Sequence, residues 1–295
     1  MNVTDILTHE ELNQLERAVL VARRRRGTVE GETTTTRRTG TSMEFAGVRS
    51  YRTGDDFRSI DWNAFRRTGR PVTRVYAAEE QMPLHLLVDT SGSMRVGTPT
   101  KFQFARKLAV AFGYLALRKQ NHLGAAVIGA GNLSPTGAMR GSGQFHRVIR
   151  LLAGAEPSGE TDIGAGLTAY AVQVRKPAVV VILTDGLEPG ALDRGLRALR
   201  LRKADLVVIQ VVAPEDREPP LPSRGAAEMH DAETGKSLFV PVSDRTRTEY
   251  LSRYAQLDQA LTTVCGRHRA ELIRTDSTAN VFPVVMQYLR SGAPL

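Results

Sequence analysis

The sequence has almost no cysteine, and its apolar runs are short. Cys265 is the single cysteine among 295 residues, which excludes an internal disulfide framework and is typical of a reducing compartment. The longest apolar runs, 178–183 and 206–212, are far too short to span a bilayer. The first residues lack a basic segment followed by an apolar stretch, so no signal peptide is predicted. We therefore expect a cytoplasmic protein without a membrane span.

Common catalytic motifs are also missing from the sequence. It contains no G-x-S-x-G, H-E-x-x-H or Walker A motif, and its six histidines show no metal-ligand spacing. We therefore expect a binding protein and not an enzyme. A metal-assisted hydrolase stays open as a weaker alternative.

Positive charge is present in excess. The formal net charge is +9, and arginine fills positions 23–26. This admits an acidic partner, and one alternative function is nucleic-acid binding through the basic N-terminal region. The sequence disfavours that alternative, because it lacks interleaved aromatic residues and any recognised DNA-reading motif.

The apolar pattern from residue 82 onward predicts an α/β fold. Near-continuous apolar runs at 84–88, 125–128, 178–183 and 206–212 are typical of strands buried on both faces of a parallel sheet. Helical patterns cover 146–152, 163–174, 190–203, 245–266 and 279–290, and a further helix starts at Thr98 and Pro99. Residues 214–222 are predicted as a loop, and 229–242 as a hairpin that turns at 233–236. Together these predict a doubly wound, mostly parallel sheet over residues 82–295.

Residues 1–81 are predicted to form a helical and irregular extension. A helix is expected over 6–21, a polar loop over 28–41, a short helix from Thr53 to about Phe65, and a strand over 72–76. Trp62 is expected to bury together with the neighbouring apolar side chains Phe57, Ile60 and Phe65.

Polar residues stand where two of the predicted strands end. Asp89, Ser91 and Ser93 follow the first run, and Asp185 follows the third. Thr161 stands just before the helix predicted at 163–174. Ligands of open α/β sheets bind at the carboxyl ends of the strands, and this set offers only oxygen donors. We expect a site for a hard divalent cation, Mg²⁺ first, with Mn²⁺ or Ca²⁺ as alternatives.

This five-residue set resembles the metal-ion-dependent adhesion site of von Willebrand factor A domains. The resemblance implies a Rossmann-like A domain in which Ser91, Ser93 and Thr161 bind the ion directly. Asp89 and Asp185 would bind it directly or through water. An acidic residue of a protein partner would fill the sixth position.

The segment before the predicted sheet resembles a second signature. Its residues are Glu44–Phe45, Arg49, Tyr51, Gly54–Asp55–Asp56, Arg58, Ile60–Asp61–Trp62 and Arg67. They are similar to the DUF58 family, in which such a segment precedes an A domain. That resemblance implies an adaptor or chaperone-like factor acting with a MoxR-type AAA+ ATPase and its client. Arg49, Arg52 and Arg58 are the candidate contacts for an acidic partner.

Overall fold

The computed structural model describes residues 6–17, 44–77, 82–118, 121–174, 177–222 and 225–290. The chain divides into two compact units, Met1–Arg26 with Met82–Leu295, and Gly27–Gln81. Helix α1 covers residues 9–17, and Leu7 and Leu15 are buried in the core of the larger unit. The division into residues 1–81 and 82–295 stays a prediction, but the described N-terminal helix packs with the larger unit.

Helix α1 starts later than the sequence predicts. Thr8 and Glu11 form the reciprocal bonds of a capping box, with Thr8 N to Glu11 Oε2 at 2.7 Å and Glu11 N to Thr8 Oγ1 at 3.2 Å. Thr8 therefore caps the helix, and the predicted start at residue 6 was wrong. The predicted helix beyond residue 17, the loop 28–41 and the arginines 23–26 lie outside the described residues.

The smaller unit is a two-stranded antiparallel sheet with a short helix. Its elements are β1 (Glu44–Ser50), α2 (Trp62–Thr68) and β2 (Val72–Ala77). The predicted strand at 72–76 is confirmed, whereas β1 was not predicted. The Asp61 carboxylate accepts the N–H groups of Asn63 and Ala64 at 3.0 Å, so α2 starts there and not at Thr53.

The aromatic side chains around α2 are exposed, which contradicts the sequence prediction that they bury together. Phe57 is 66% exposed and Trp62 is 56% exposed. Trp62 and Phe65 contact each other edge to face, with 6.1 Å between ring centroids. The two short helical turns begin separately at Asp56 and Asp61, so the apolar side chains do not form the single face of one longer helix.

The larger unit contains the other strands and helices. Its strands are β3 (Leu84–Asp89), β4 (His122–Gly129), β5 (Asn132–Pro135), β6 (Met139–Arg140), β7 (Val179–Thr184), β8 (Asp205–Val212), β9 (Gly225–His230), β10 (Ser237–Val242) and β11 (Glu271–Asp276). Its helices after α1 are α3 (Lys101–Arg118), α4 (Phe145–Ala153), α5 (Ile163–Ala171), α6 (Pro189–Leu201), α7 (Pro214–Arg217), α8 (Asp244–Arg267) and α9 (Val281–Arg290).

Seven of these strands form one sheet in the order β11-β8-β7-β3-β4-β5, with β6 beside β4. The strands from β11 to β4 are parallel, and β5 and β6 run antiparallel to β4. One apolar layer joins α1, α3, α4 and α9 to the sheet, and α5, α6 and α8 cover the other face. The predicted doubly wound, mostly parallel α/β fold is confirmed. Within the described residues, none of the helices combines the length and apolar character needed to cross a bilayer.

Local capping explains most of the shifted boundaries. Helix α3 begins after Thr100, which exchanges hydrogen bonds with Gln103 at 3.0 and 3.1 Å, so the predicted cap at Thr98 was wrong. Residues 214–217 form a helical turn instead of a loop, because Asp216 accepts the Ala213 N–H at 2.9 Å. The predicted hairpin is confirmed, and it begins earlier, at Gly225.

Candidate metal centre

The predicted site residues meet at the carboxyl edge of the central sheet. Asp89 ends β3 and Asp185 directly follows β7, and these two strands are parallel neighbours. The chain leaves β3 for β4 on one side and later returns to β7 on the other. A crevice forms where the strand order reverses in this way, so the topology brings both carboxylates to one place.

The loop after β3 holds two hydroxyl groups together. The Oγ atoms of Ser91 and Ser93 are 3.0 Å apart, and both residues are buried. The Gly92 N–H donates to the Gly159 carbonyl at 3.0 Å. Since Gly159 lies two residues before Thr161, this bond ties the serine loop to the loop that carries the threonine.

The Asp89 carboxylate is buried and fixed by two donors. It accepts the Ser91 N–H at 2.8 Å on Oδ1 and the Thr184 hydroxyl at 2.6 Å on Oδ2. Burial raises the pKa of Asp89 well above its usual range, and the negative charge of Asp185 adds to that shift. The neighbouring carboxylates of Asp89 and Asp185 repel each other, and a cation between or beside them would relieve that repulsion.

Asp185 is held by a lysine that the sequence analysis did not single out. Lys101 is fully buried, and its Nζ lies 2.8 Å from Asp185 Oδ2 and 3.1 Å from Asp216 Oδ2. Burial lowers the pKa of Lys101, but the charges of Asp185 and Asp216 outweigh burial and the net shift is upward. The sequence did carry a signal, because Lys101 stands four residues before Ala105 on the apolar face of α3.

Thr161 supplies the test of whether these residues suit a metal ion. Its Oγ1 is buried and has no hydrogen-bond partner among the described residues. It lines the same cavity as Asp89, Ser91, Ser93 and Asp185. A buried hydroxyl without a partner costs about 1–3 kcal/mol, and a cation in the cavity would give it one. The donor set therefore fits a hard divalent cation.

The centre differs from a site built of charged or imidazole ligands. Within the described residues, no three His, Cys, Asp or Glu side chains are placed to hold a metal ion by themselves, without hydroxyl ligands. Three of the five predicted ligands here are neutral hydroxyls, supplied by Ser91, Ser93 and Thr161. The structure brings all five predicted residues to one cavity.

Two acidic residues of the cavity were missed from the sequence. Glu188, before α6, and Glu233, in the β9–β10 turn, line it beside the predicted residues. Burial raises the pKa of Glu188, and the charge of Asp162 adds to the shift. Neither position stands at a strand end, so the reasoning that found Asp89 and Asp185 could not find these two.

The arginines predicted to contact a partner lie in the smaller unit. Arg49 forms a two-bond pair with Asp55, at 2.6 and 2.8 Å, and this hydrogen bonding lowers the pKa of Asp55 to about 2. The Arg58 guanidinium lies 5.9 Å from the centroid of the Phe57 ring. The Arg52 N–H donates to Asp55 Oδ2 at 2.9 Å. Their role in partner binding stays a prediction.

A family model described as "Protein of unknown function DUF58" matches residues 47–260. An uncharacterized protein of Mycobacterium tuberculosis is 29% identical over 241 residues, which cover 80% of this chain and 72% of that protein. An uncharacterized protein of Mycobacterium bovis matches with the same identity and coverage.

Several solved structures are similar in fold. The SpRpn10 VWA domain matches with a TM-score of 0.40 and 12% identity, over 70% of this chain and 95% of that one. The open conformation of the pilus adhesin SpaC from Lactobacillus rhamnosus GG gives 0.44 and 10%, over 72% and 29%. Manganese-loaded TRAP protein of Plasmodium vivax gives 0.32 and 22%, over 44% and 57%.

Proposed function

The chain belongs to the DUF58 family, and from that premise we propose that it is a protein-binding module whose larger unit holds a divalent metal ion. The observation that carries the proposal is the buried Thr161 hydroxyl, which lacks a partner among the described residues and lines one cavity with Ser91 and Ser93. Mg²⁺ is the proposed ion, with Mn²⁺ and Ca²⁺ as alternatives, because the donors are all oxygen.

Each residue has a proposed part in holding the ion. Ser91, Ser93 and Thr161 offer hydroxyl oxygens from two loops joined by a backbone hydrogen bond. Asp89 and Asp185 supply the negative charge, directly or through water. When bound, the ion provides a Lewis-acidic position that attracts a carboxylate oxygen. Neutral ligands leave more of that attraction available to an outside group, which favours binding over catalysis.

The proposed protein partner is a MoxR-type AAA+ ATPase together with its client. The support is the resemblance of the DUF58 signature to proteins that accompany such ATPases. In this proposal the chain is an adaptor or chaperone-like factor of the cytoplasm, and an acidic residue of its partner binds the metal centre.

Metal binding is tested by titrating the full chain with Mn²⁺ and measuring free Mn²⁺ by electron paramagnetic resonance. We expect Asp89→Ala and Thr161→Val to lose most of the affinity. Thr168→Val is the matched control, because Thr168 lies on α5 and donates to the Gly164 carbonyl at 2.7 Å. A wild-type chain that binds no Mn²⁺ would refute the proposal.

Partner binding is tested by co-purification with a MoxR-type ATPase from the same source. Tagged wild type, Asp89→Ala and Asp205→Ala are compared in Mg²⁺ and in chelator. Asp205 is an exposed carboxylate at the start of β8, at the opposite end from the centre. We expect retention with wild type and Asp205→Ala in Mg²⁺ only. Retention of the ATPase in all six samples would show that the centre is not the binding surface.

A further inference from the structure

The β9–β10 hairpin reaches the metal centre with its turn. β9 and β10 form a two-stranded sheet of their own. A Cβ atom added at Gly92 would collide with the Ala232 carbonyl oxygen and lie 3.0 Å from the Cα of Glu233. Gly92 stands between the two serines, so the backbone of the turn lies directly against the loop that offers their hydroxyls.

Hydrogen bonds inside the turn fix its shape. Asp231 Oδ1 accepts the N–H groups of Glu233 at 2.8 Å and Thr234 at 3.2 Å. The Asp231 N–H also donates to the Lys236 carbonyl at 2.8 Å. A turn closed in this way presents the residue at position 233 in one orientation.

Glu233 is the residue that the turn directs inward. Residues 231, 232 and 234–236 are exposed, whereas Glu233 is half-buried and lines the cavity with Asp89, Thr161 and Asp185. The Glu233 carboxylate forms a side-chain hydrogen bond with Ser93, one of the proposed ligands, and lies close to Glu188 and Asp185. A carboxylate placed among other carboxylates is stabilised by a cation that they share.

We propose that Glu233 is a ligand of the metal centre supplied by the chain itself. This inference rests on the proposed function. Its carboxylate, on the Ser93 side of the cavity, takes the position that would otherwise receive a partner's acidic side chain. A partner carboxylate therefore binds when the β9–β10 turn moves away from Gly92, and the hairpin regulates access to the ion.

The test uses the full chain as wild type, Glu233→Gln, Glu228→Gln and Asp89→Ala, with Mn²⁺ as the probe. Glu228 lies on β9 of the same hairpin and does not line the cavity, so Glu228→Gln is the matched control. Mn²⁺ affinity is measured by electron paramagnetic resonance. The number of exchangeable waters on bound Mn²⁺ is measured by water proton relaxation, before and after addition of acetate as a carboxylate probe.

We expect Glu233→Gln to bind Mn²⁺ about 10-fold more weakly or worse, in the range found when groups that support a metal site are removed. Its bound Mn²⁺ should carry one more exchangeable water than in wild type, and acetate should displace that water. In wild type and Glu228→Gln, acetate should have no effect. Hydrogen exchange adds a second readout, since Mn²⁺ should slow exchange at residues 231–236 in wild type but not in Glu233→Gln.

The outcomes separate this inference from the proposed function. If Glu233→Gln matches Glu228→Gln in affinity, water number and exchange while Asp89→Ala loses Mn²⁺, the inference is overturned and the metal centre stands. If wild type binds no Mn²⁺, both are overturned. Should Glu233→Gln fail to fold, Glu233→Asp keeps the charge on a shorter side chain, and wild-type affinity and water number in that variant would equally overturn the inference.

Discussion

Replacing Lys101 by methionine tests how much the buried ion pairs of Lys101 with Asp185 and Asp216 stabilise the protein. The Lys101 ammonium has no solvent exposure and lies 2.8 Å from Asp185 and 3.1 Å from Asp216. Methionine keeps most of the length and the apolar character of the lysine stem but removes the charge, which leaves buried Asp185 without its ion-pair partner. Removing one member of a buried ion pair costs about 3–5 kcal/mol. Since domains of this kind are stable by about 5–15 kcal/mol, we expect a large fraction of the stability to be lost.

The assay is urea denaturation at pH 7, with Lys107→Met as the matched control. Lys107 lies on the same helix, is 41% exposed, and pairs with Glu11 at 3.4 Å. An exposed pair of this kind contributes about 0–1 kcal/mol. We expect Lys101→Met to lose several times more unfolding free energy than Lys107→Met when no metal is present.

Mg²⁺ gives the second half of this prediction. If the ion binds beside Asp185, it neutralises the carboxylate that Lys101→Met leaves unpaired, so saturating Mg²⁺ should reduce the loss in that variant and leave the Lys107→Met value unchanged. A Lys101→Met loss below about 1 kcal/mol would refute the ion-pair reasoning. An equal loss with and without Mg²⁺ would refute the placement of the ion near Asp185.

Three further predictions follow from buried contacts. Gly92→Ala should weaken Mn²⁺ binding and speed hydrogen exchange in the β9–β10 hairpin, because the alanine Cβ would collide with the Ala232 carbonyl oxygen. An unchanged exchange rate in the hairpin would contradict this contact. Thr161→Val should stabilise the metal-free chain by about 1 kcal/mol, because it removes a buried hydroxyl that has no partner among the described residues. Urea denaturation measures this change, and a less stable variant would contradict the prediction. Burial lowers the pKa of His85 from 6.5 to about 4. The unfolded chain therefore binds this proton more readily. This group does not reduce the free energy of unfolding above pH 6.5. Between pH 6.5 and pH 4 it lowers the free energy of unfolding by about 3 kcal/mol. His85→Gln should flatten that part of the pH–stability curve, and an unaltered slope would argue against the shift.

The central strands could be predicted because strands buried on both faces of a sheet have mostly apolar sequences. β3, β7 and β8 are covered by helices on both faces, and each appears as a near-continuous apolar run, interrupted once in β3 by His85 and once in β8 by Gln210. β11 lies at the edge of the sheet, and its sequence, ELIRTD, has only two apolar residues beside three charged ones. Its pattern was therefore too weak to predict a strand.

Some residues of the candidate site can be found from a local sequence pattern, and others can be found only from the fold. Asp89 and Asp185 stand where apolar runs end, and a rule about strand ends is enough to find them. Glu233 reaches the cavity from a hairpin far along the chain, and Lys101 reaches Asp185 across 84 positions. A short-range sequence pattern cannot predict contacts between residues so far apart in the chain. A lysine on the apolar face of a helix does indicate a buried charge.

In the proposed function, the sharing of Lys101 between Asp185 and Asp216 would make the metal centre one side of a thermodynamic linkage. A cation that attracts Asp185 would compete with the ammonium for the same carboxylate, so binding of the proposed ion would shift Lys101 toward Asp216. By reciprocity, formation of the Lys101–Asp216 pair would raise metal affinity by the same factor by which metal binding would favour that pair. The Asp216 carbonyl accepts the Tyr250 hydroxyl of α8 at 2.6 Å, so a ligand that moves α8 would act as an effector of the metal centre without touching it.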